Sequence, residues 1–284
     1  MPAEPPVESP TSLAQAFELL AADNGWRPIA GGTDLMVQIT GELAPPPERI
    51  LDLWRLDELR GIKLDNGWLV LGALTTYTEI RTSELCRQHL PALVDAAATI
   101  GAAQIQNRGT LGGNIANASP AGDTLPVLLA TDTRIVLGSA AGERAVRAAD
   151  FWTAYRQTAR RPDELVVRVA IPLPRGRQVR FRKVGTRRAQ AISKVVMSLS
   201  WREDAGVWRD VRVALGSVAA TPIRATETER VLEGAAPRRE TADHAAATVA
   251  KEIHPIDDVR STAEYRQAVT ARILHRLLRE AGGW

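Results

Sequence analysis

Hydrophobic residues recur at helical spacing near the start of the chain, in "SLAQAFELLAADNG". The apolar positions that share one face of this predicted helix are Leu13, Phe17 and Leu20. Ser12 and Gln15 have the spacing of a capping box at its start. The pair Asn24–Gly25 is a breaker. The pattern therefore predicts a short helix behind a proline-rich terminus.

Apolar segments and breakers alternate in the next stretch of the chain. "WRPIAGGTDLMVQI" predicts a strand, a glycine turn and a second apolar segment. The prolines of "GELAPPPERI" predict a loop, after which "ILDLWRLDELRGI" returns to apolar order. A first division of the chain, residues 1–56, is expected to end here.

A second division, residues 57–174, begins with "GWLVLGALTTYTEI", which is typical of a strand. "LPALVDAAATIGAAQIQN" is alanine-rich and predicts a helix that ends around Gly101. Further on, "LPVLLATD" predicts a short helix and "TRIVLGS" a strand. "DELVVRVAIPLP" predicts a strand that stops at its prolines.

The pattern changes near residue 175. In "SKVVMSLSW" the residues Val195, Met197, Leu199 and Trp201 alternate with a second set, and "VRVALGSV" repeats the alternation after a turn. This predicts an antiparallel hairpin with one solvated face. Two helices follow. The last is expected to start at Ser261, with Glu264 completing a capping box. Its predicted apolar stripe consists of Tyr265, Val269, Ile273 and Leu277.

Charge does not favour a nucleic-acid or membrane role. The net charge is +3 over 284 residues, and the basic residues are interleaved with acidic ones rather than clustered. The densest basic tract, Arg180–Arg188, is interpreted as a solvated face or a contact with a partner protein. The apolar runs are far shorter than the roughly 20 residues that a membrane helix needs, and the terminus does not resemble a signal peptide. A cytoplasmic location is expected.

The cysteine and histidine content excludes several metal sites. Cys86 is the single cysteine, so the chain alone cannot form a disulfide or ligate an iron–sulfur cluster. The four histidines show no spacing typical of a metal site. No metal is therefore expected on this chain.

Two loops have the composition of anion-binding turns: "AGGTD" at 30–34 and "TLGGN" at 110–114. Glycine lets an anion approach the backbone, and successive amides form a positively polarised nest. Neither loop reads as a Rossmann turn or a P-loop. Paired glycines also make ordinary tight turns, and for either loop alone that interpretation is favoured over an anion site. Asp123, nine residues after Asn114, can accept hydrogen bonds from sugar hydroxyls but cannot hold a phosphate.

Three segments carry a family resemblance: "RPIAGGTDLM", "GAAQIQNRGTLGGNIANASPAGDTLPVLLATDTRIVL" and "IDDVRSTAEYR". Together they resemble the FAD-binding medium subunit of the molybdenum hydroxylases, the group of xanthine dehydrogenase, carbon monoxide dehydrogenase and aldehyde oxidoreductase. The resemblance runs in order from about residue 10 to 280. It implies an α+β fold with a two-part FAD-binding domain of the PCMH/vanillyl-alcohol-oxidase-like type. Residues 175–284 would form an antiparallel sheet-and-helix domain, similar to the carbon monoxide dehydrogenase flavoprotein C-terminal domain.

The resemblance also implies a set of FAD contacts. The segment Pro28 to Leu35 matches the first loop, around the pyrophosphate, and Thr110 through Asn114 match the second, which continues to Asp123 at the ribityl or ribose. Lys194 matches a lysine near the flavin; a solvated strand-end lysine is the alternative. The residues so implied are Pro28, Ile29, Ala30, Gly31, Gly32, Thr33, Asp34, Leu35, Ile100, Gln104, Ile105, Thr110, Leu111, Gly112, Gly113, Asn114, Ser119, Asp123 and Lys194.

The function implied is electron transfer within a heteromeric oxidoreductase. FAD would be bound non-covalently, with molybdopterin on a large partner subunit and [2Fe–2S] clusters on a small one. Electrons would pass from those clusters through FAD to NAD⁺ or another acceptor, and no catalytic side chain is expected on this chain. Two alternatives remain open on the residues: a stand-alone flavin-dependent reductase, and a nucleotide-binding or assembly module without redox chemistry.

Overall fold

The computed structural model describes residues 5–22, 25–43, 45–187 and 190–284. Three sheets, with helices packed on them, account for most of the described chain. Asn24 of the predicted helix end and Arg188 of the basic tract lie outside the described residues.

The first sheet is parallel. Its strands, in the spatial order β1–β3–β2, are β1 (Val7–Glu8), β2 (Trp26–Ile29) and β3 (Arg49–Asp52). Two helices lie between them, α1 (Leu13–Ala22) and α2 (Leu35–Thr40). Leu20 of α1 and Leu51 of β3 are buried together with Val136 and Leu165 from the next sheet. The first part of the chain therefore shares a core with the second.

The second sheet is antiparallel. Its strands, in the spatial order β4–β5–β10–β6–β7, are β4 (Ile62–Asp65), β5 (Trp68–Gly72), β6 (Arg134–Ser139), β7 (Gly142–Arg147) and β10 (Leu165–Pro172). A small hairpin, β8 (Trp152–Ala154) and β9 (Gln157–Thr158), precedes β10. Short 3₁₀ turns occupy Asp57–Leu59 and Ala148–Asp150.

Six short helices connect β5 to β6. They are α3 (Tyr77–Thr82), α4 (Glu84–His89), α5 (Pro91–Ala98), α6 (Ala103–Arg108), α7 (Leu111–Asn117) and α8 (Leu125–Ala130). The alanine-rich helix of the sequence is thus α5, and the remainder of that stretch forms α6 after Gly101, whose φ of +53° suits glycine. Every residue of α8 is buried.

The third sheet and three helices form the C-terminal part. The strands, in the spatial order β11–β12–β13–β14, are β11 (Gln178–Val184), β12 (Val195–Asp204), β13 (Val207–Gly216) and β14 (Ile223–Arg224). The helices are α9 (Thr226–Leu232), α10 (Arg239–Glu252) and α11 (Ala263–Gly282). The predicted α+β architecture, with an antiparallel C-terminal sheet and helices, is confirmed. The divisions at residues 56 and 174 stay predictions.

The predicted hairpin is β12–β13, but the prediction that one of its faces is solvated is wrong. Ser198 and Ser200 are both 0% exposed, and Ser200 Oγ donates a hydrogen bond of 2.6 Å to the carbonyl of Ala130. The cause is α8, which covers this face, while the C-terminal helices cover the other. The third sheet is consequently buried on both sides along the first seven residues of β12.

The predicted start of the last helix is also shifted. Thr262, not Ser261, is the N-cap, and its hydroxyl accepts a hydrogen bond from the amide of Tyr265. Tyr265 is 42% exposed, whereas its neighbour Arg266 is buried. Ile273 and Leu277 are buried as predicted, whereas the first turn of the helix buries Arg266 in place of Tyr265. In the described ranges, no helix is both long and apolar enough to cross a membrane.

Candidate functional site

Both glycine loops line one cleft of about 350 Å³. The loop after β2 forms one wall and the start of α7 forms the other, with apolar side chains from the residues just after β5 and from the start of β10 nearby. The predicted site residues that line it are Pro28, Ile29, Ala30, Gly31, Gly32, Thr33, Asp34, Leu35, Ile100, Ile105, Thr110, Gly112, Gly113 and Asn114.

Gly31 and Gly32 shape the first wall for different reasons. A Cβ on Gly31 would lie 1.7 Å from the carbonyl oxygen of Arg108, so only glycine allows this loop to approach the segment leading into the second loop. Gly32 has a φ of +75°, which residues with a side chain rarely adopt. The first loop therefore bends sharply and lies directly against the second.

Four successive amides of the first loop are available to a ligand. The backbone N–H groups of Gly31, Gly32, Thr33 and Asp34 have no hydrogen-bond partner among the described residues. Such a run of free amides is suited to the oxygens of a phosphate. The wall formed by this loop thus has the chemistry that the sequence predicts.

The amides of the second loop are already hydrogen-bonded. The N–H groups of Leu111 and Gly112 donate to the carbonyls of Thr75 and Ala73, at 2.9 and 2.8 Å, and that of Gly113 donates to Thr110 Oγ1 at 3.1 Å. The expectation of a second amide nest is therefore wrong, because this loop forms the first turn of α7 with Thr110 as its N-cap.

What the second wall offers instead is small and polar. A Cβ on Gly113 would meet only the Thr110 hydroxyl oxygen, at 2.8 Å, so this residue leaves space toward the cleft. The Thr110 hydroxyl keeps its proton to donate. Asn114 accepts a hydrogen bond from Thr124 at 2.6 Å through its side-chain oxygen, which leaves its amide group as a donor.

A polar link crosses the rim of the cleft. Asn117, at the end of α7, donates to Asp34 Oδ1 at 3.2 Å and accepts from Arg156 at 3.0 Å. Asp34 therefore ties the first loop to α7 through its side chain. Asn117 was not predicted, although it lies three residues, about one helical turn, after Asn114.

Two arginines, Arg27 and Arg160, line the cleft together with Leu165 and Val166. Arg160 is fixed by backbone carbonyls and donates to that of Glu164 at 2.6 Å. Burial, and then the charge of Arg27, lower the pKa of the Arg160 guanidinium. Neither arginine was predicted as a site residue, because isolated basic residues are usually solvated.

Asp123 lies outside the cleft lining, in a buried ion pair. Its Oδ2 accepts from Lys183 Nζ at 2.5 Å and from Thr99 Oγ1 at 3.1 Å, and its Oδ1 accepts from the Ser193 hydroxyl. Burial raises the pKa of the Asp123 carboxyl, while the Lys183 ammonium and the hydroxyls oppose that rise. The carboxylate already holds three donors.

Lys183 corrects the interpretation of the basic tract as a solvated face, because its side chain is only 10% exposed. Val179 and Phe181 of the same strand are buried. Alternate residues of a strand face the same side, so Lys183 faces inward with Val179 and Phe181. This period-2 pattern in the sequence could have predicted the burial of Lys183.

Tyr77 connects the cleft to the Asp123 cluster. Its ring lines the cleft and the residue is 4% exposed. Burial, and then the charge of Asp123, raise the pKa of its phenol. Tyr77 therefore remains a neutral hydroxyl donor at neutral pH.

The other predicted residues lie away from the cleft lining. Leu111 is fully buried in the core and Gln104 is exposed on α6. Ser119 accepts a hydrogen bond from the Ala121 amide within the turn after α7. The Lys194 ammonium lies 4.8 Å from the centre of the Tyr265 ring, a cation–π contact.

Two family models cover most of the chain. Residues 4–174 match the FAD binding domain in molybdopterin dehydrogenase, and residues 180–281 match the CO dehydrogenase flavoprotein C-terminal domain. These matches place the cleft within the FAD-binding part.

Individual relatives agree over almost the whole length. The chain is 32% identical to the glyceraldehyde dehydrogenase medium chain of Sulfolobus acidocaldarius, over 95% of each protein. It is 31% identical to the xanthine dehydrogenase FAD-binding subunit of Escherichia coli, over 96% of this chain and 95% of that one. Carbon monoxide dehydrogenase from Hydrogenophaga pseudoflava superposes with a TM-score of 0.93 at 29% identity, covering 97% and 96% of the two chains.

The family resemblance and the two-part flavoprotein fold predicted from sequence are thereby confirmed. The chain belongs to the family of FAD-binding flavoprotein subunits of molybdopterin dehydrogenases, and it is an oxidoreductase subunit.

Proposed function

We propose that this chain binds FAD in the cleft between the two glycine loops, with the pyrophosphate on the free amides of residues 31–34. Four successive N–H groups without a partner among the described residues carry this proposal. Their partial positive charges can stabilise a diphosphate. Thr110 and Asn114 on the opposite wall supply further donors.

The remaining contacts are assigned by their chemistry. The apolar side chains Ile100 and Ile105 line the cleft and suit an aromatic ring system. The Tyr77 phenol can donate to a sugar hydroxyl. Asp123 and Lys183 lie behind the cleft lining, where they hydrogen-bond Thr99 and Ser193. We propose that Asp123 supports sugar binding through a donor that it positions, or binds the sugar directly after a small shift of its ion pair with Lys183.

FAD would be held without a covalent bond. The described lining of the cleft contains neither histidine nor cysteine, the side chains through which a flavin could be tethered there. When bound, FAD supplies the capacity to accept two electrons and release them to a different acceptor. The chain's own residues bind, orient and shield it.

The electrons would reach FAD from partner subunits. Cys86 is the single cysteine and is buried, so iron–sulfur clusters must be ligated elsewhere. Relatives of this chain are called medium chains or medium subunits, and one solved relative is a Cu,Mo-CO dehydrogenase. We therefore propose a molybdopterin-binding large subunit and a [2Fe–2S] small subunit as partners, with NAD⁺ or another oxidant as the final acceptor.

Flavin selectivity tests the cofactor site. The purified chain should retain FAD through gel filtration and release it intact on acid precipitation. FMN and riboflavin, which lack the dinucleotide pyrophosphate, should bind at least tenfold more weakly in fluorescence titrations. Equal affinity for riboflavin would contradict the assignment of the amides to the pyrophosphate.

Co-purification tests the assembly. A tagged chain expressed with its neighbouring genes should elute with two further polypeptides and with molybdenum and iron in the metal analysis. A chain that elutes alone, binds FAD and oxidises NADH by itself would instead favour the stand-alone reductase.

A further inference from the structure

A second cavity, of about 250 Å³, lies on the seam between the two family domains. Its apolar walls come from both sides of the seam: Leu69, Leu90 and Ile171 belong to the FAD-binding part, whereas Val179 lies on β11 of the third sheet. None of the cavity's lining residues is among those lining the FAD cleft. The two sites are therefore separate.

Guanidinium groups outnumber carboxylates in this cavity. Arg177, Arg202 and Arg212 line it together with Asp132 and Asp210, which leaves one positive charge in excess. The arginines also differ in depth. The Arg177 and Arg212 side chains are 8% and 13% exposed, whereas that of Arg202 is 45% exposed. The charge therefore extends from the rim into the cavity.

Two of these arginines retain free donors. Arg212 uses only Nη2, which contacts Asp132 and lies 2.9 Å from Asp210; its Nε and Nη1 have no partner among the described residues. The Arg202 guanidinium lies 3.7 Å from the Asp210 carboxylate, and in the described part of the chain this side chain makes no hydrogen bond. Arg177, by contrast, is fixed by Ser200 at 2.9 Å and by Asp210. The free N–H groups are thus those of Arg212 and Arg202.

The two carboxylates are carried on unusual backbone. Asp132 and Asp210 both have a φ of +52°, in the left-handed region that residues other than glycine seldom adopt. Conformations of this kind cost free energy and persist where the surroundings fix them, often at ligand sites. Here both residues orient guanidinium groups that face the same cavity.

The positive charges also repel one another. Burial, and then the charges of Arg212 and Arg202, lower the pKa of Arg177 to about 10, an effect that Asp210 and Asp132 only partly oppose. An additional negative charge in the cavity would relieve this repulsion.

We propose that this cavity binds a small organic oxyanion, a carboxylate or phosphate monoester on a compact apolar body. The planar guanidinium groups of Arg212 and Arg202 hold the oxyanion in a bidentate manner. The apolar walls cover the body of the ligand. Because the ligand touches both family domains, it stabilises their association and raises the unfolding temperature of the full chain.

Calorimetric titration of the full chain with benzoate and phenyl phosphate tests the site, with benzamide as the uncharged counterpart of benzoate. Arg202→Ala removes a rim guanidinium that holds no hydrogen bond, so the variant is expected to fold. Arg180→Ala is the matched control, since Arg180 is exposed on β11 and does not line the cavity.

We expect at least one oxyanion to bind at least tenfold more tightly than benzamide and to raise the unfolding temperature. Arg202→Ala should weaken its binding at least tenfold, while Arg180→Ala leaves it unchanged. No saturable binding of either oxyanion, or equal affinity in the two variants, would overturn the proposal and make the cluster a purely structural ion-pair network. Flavin content should be the same in all three proteins, since the FAD cleft is separate.

Discussion

Gly112 and Gly113 are adjacent, yet their replacement by alanine should affect different properties. Gly113→Ala should weaken FAD binding, whereas Gly112→Ala should destabilise the fold. An alanine Cβ at position 113 would meet only the Thr110 hydroxyl, at 2.8 Å. Displacing this N-cap bond costs about 1 kcal/mol, and replacing glycine by alanine within a helix regains about the same. The free energy of unfolding should therefore hardly change. The added methyl group occupies the cleft wall, where overlap of about 1–3 kcal/mol would weaken FAD binding about 5- to 150-fold.

At position 112 the same methyl group has no space. Its Cβ would lie 2.7 Å from both the Cβ and the carbonyl oxygen of Ala73, inside the core. Gly112→Ala should therefore destabilise the fold by about 1–3 kcal/mol or more. Urea unfolding followed by circular dichroism measures the stability of each variant, and fluorescence titration with FAD measures the affinity. Wild-type FAD affinity in a folded Gly113→Ala protein would refute the placement of this wall.

Two further substitutions test groups near the cleft. Lys183→Met should destabilise the fold by about 3–5 kcal/mol in urea unfolding, because it leaves Asp123 buried without its ion pair. Adding Asp123→Leu should recover part of that loss of stability. If the effects of the two substitutions simply add in the double variant, the two residues are not energetically coupled. Hydrogen bonds from Arg144 lower the pKa of Glu164 below its ordinary 4.5, so their stabilisation is full above that pH and is lost as the pH falls through the lowered pKa. Glu164→Gln should therefore cost roughly 1.5 kcal/mol at pH 7 and progressively less as the pH falls below 4.5. A pH-independent difference between the unfolding curves would exclude this ion pair as the cause.

Local patterns and the family resemblance together named residues that the structure brings to one cleft. Both glycine loops line it, and so do Ile100 and Ile105, which the resemblance alone indicated. Glycine pairs can be interpreted from sequence because they mark positions where a Cβ would clash, as at Gly31, or where φ is positive, as at Gly32. Period-2 alternation likewise predicted the β12–β13 hairpin.

Long-range packing explains what local patterns missed. Ser198 and Ser200 were expected to face water, but α8, some 70 residues earlier in the chain, covers them. The ion pair of Asp123 with Lys183 joins groups 60 residues apart. A polar residue on a strand is buried or solvated according to what packs on its face, and no window of a few residues contains that information.

The cleft walls show how the shape of the main chain can prepare a site for a dianion. Gly31 and Gly112 bring main chain against main chain, at Arg108 and Ala73, so the distance between the walls is set by atoms that cannot change rotamer. At the bend around Gly32, four amides have no hydrogen-bond partner within the described ranges. The loop is half-exposed, so water can satisfy these amides until a ligand arrives. A pyrophosphate that replaces this water exchanges neutral hydrogen bonds for charge-assisted ones, which are roughly twice as strong. We therefore expect FAD binding to depend more on the shape of the main chain than on Arg27 or Arg160, which also line the cleft. It should be more sensitive to a single methyl group at Gly113 than to the loss of either arginine side chain.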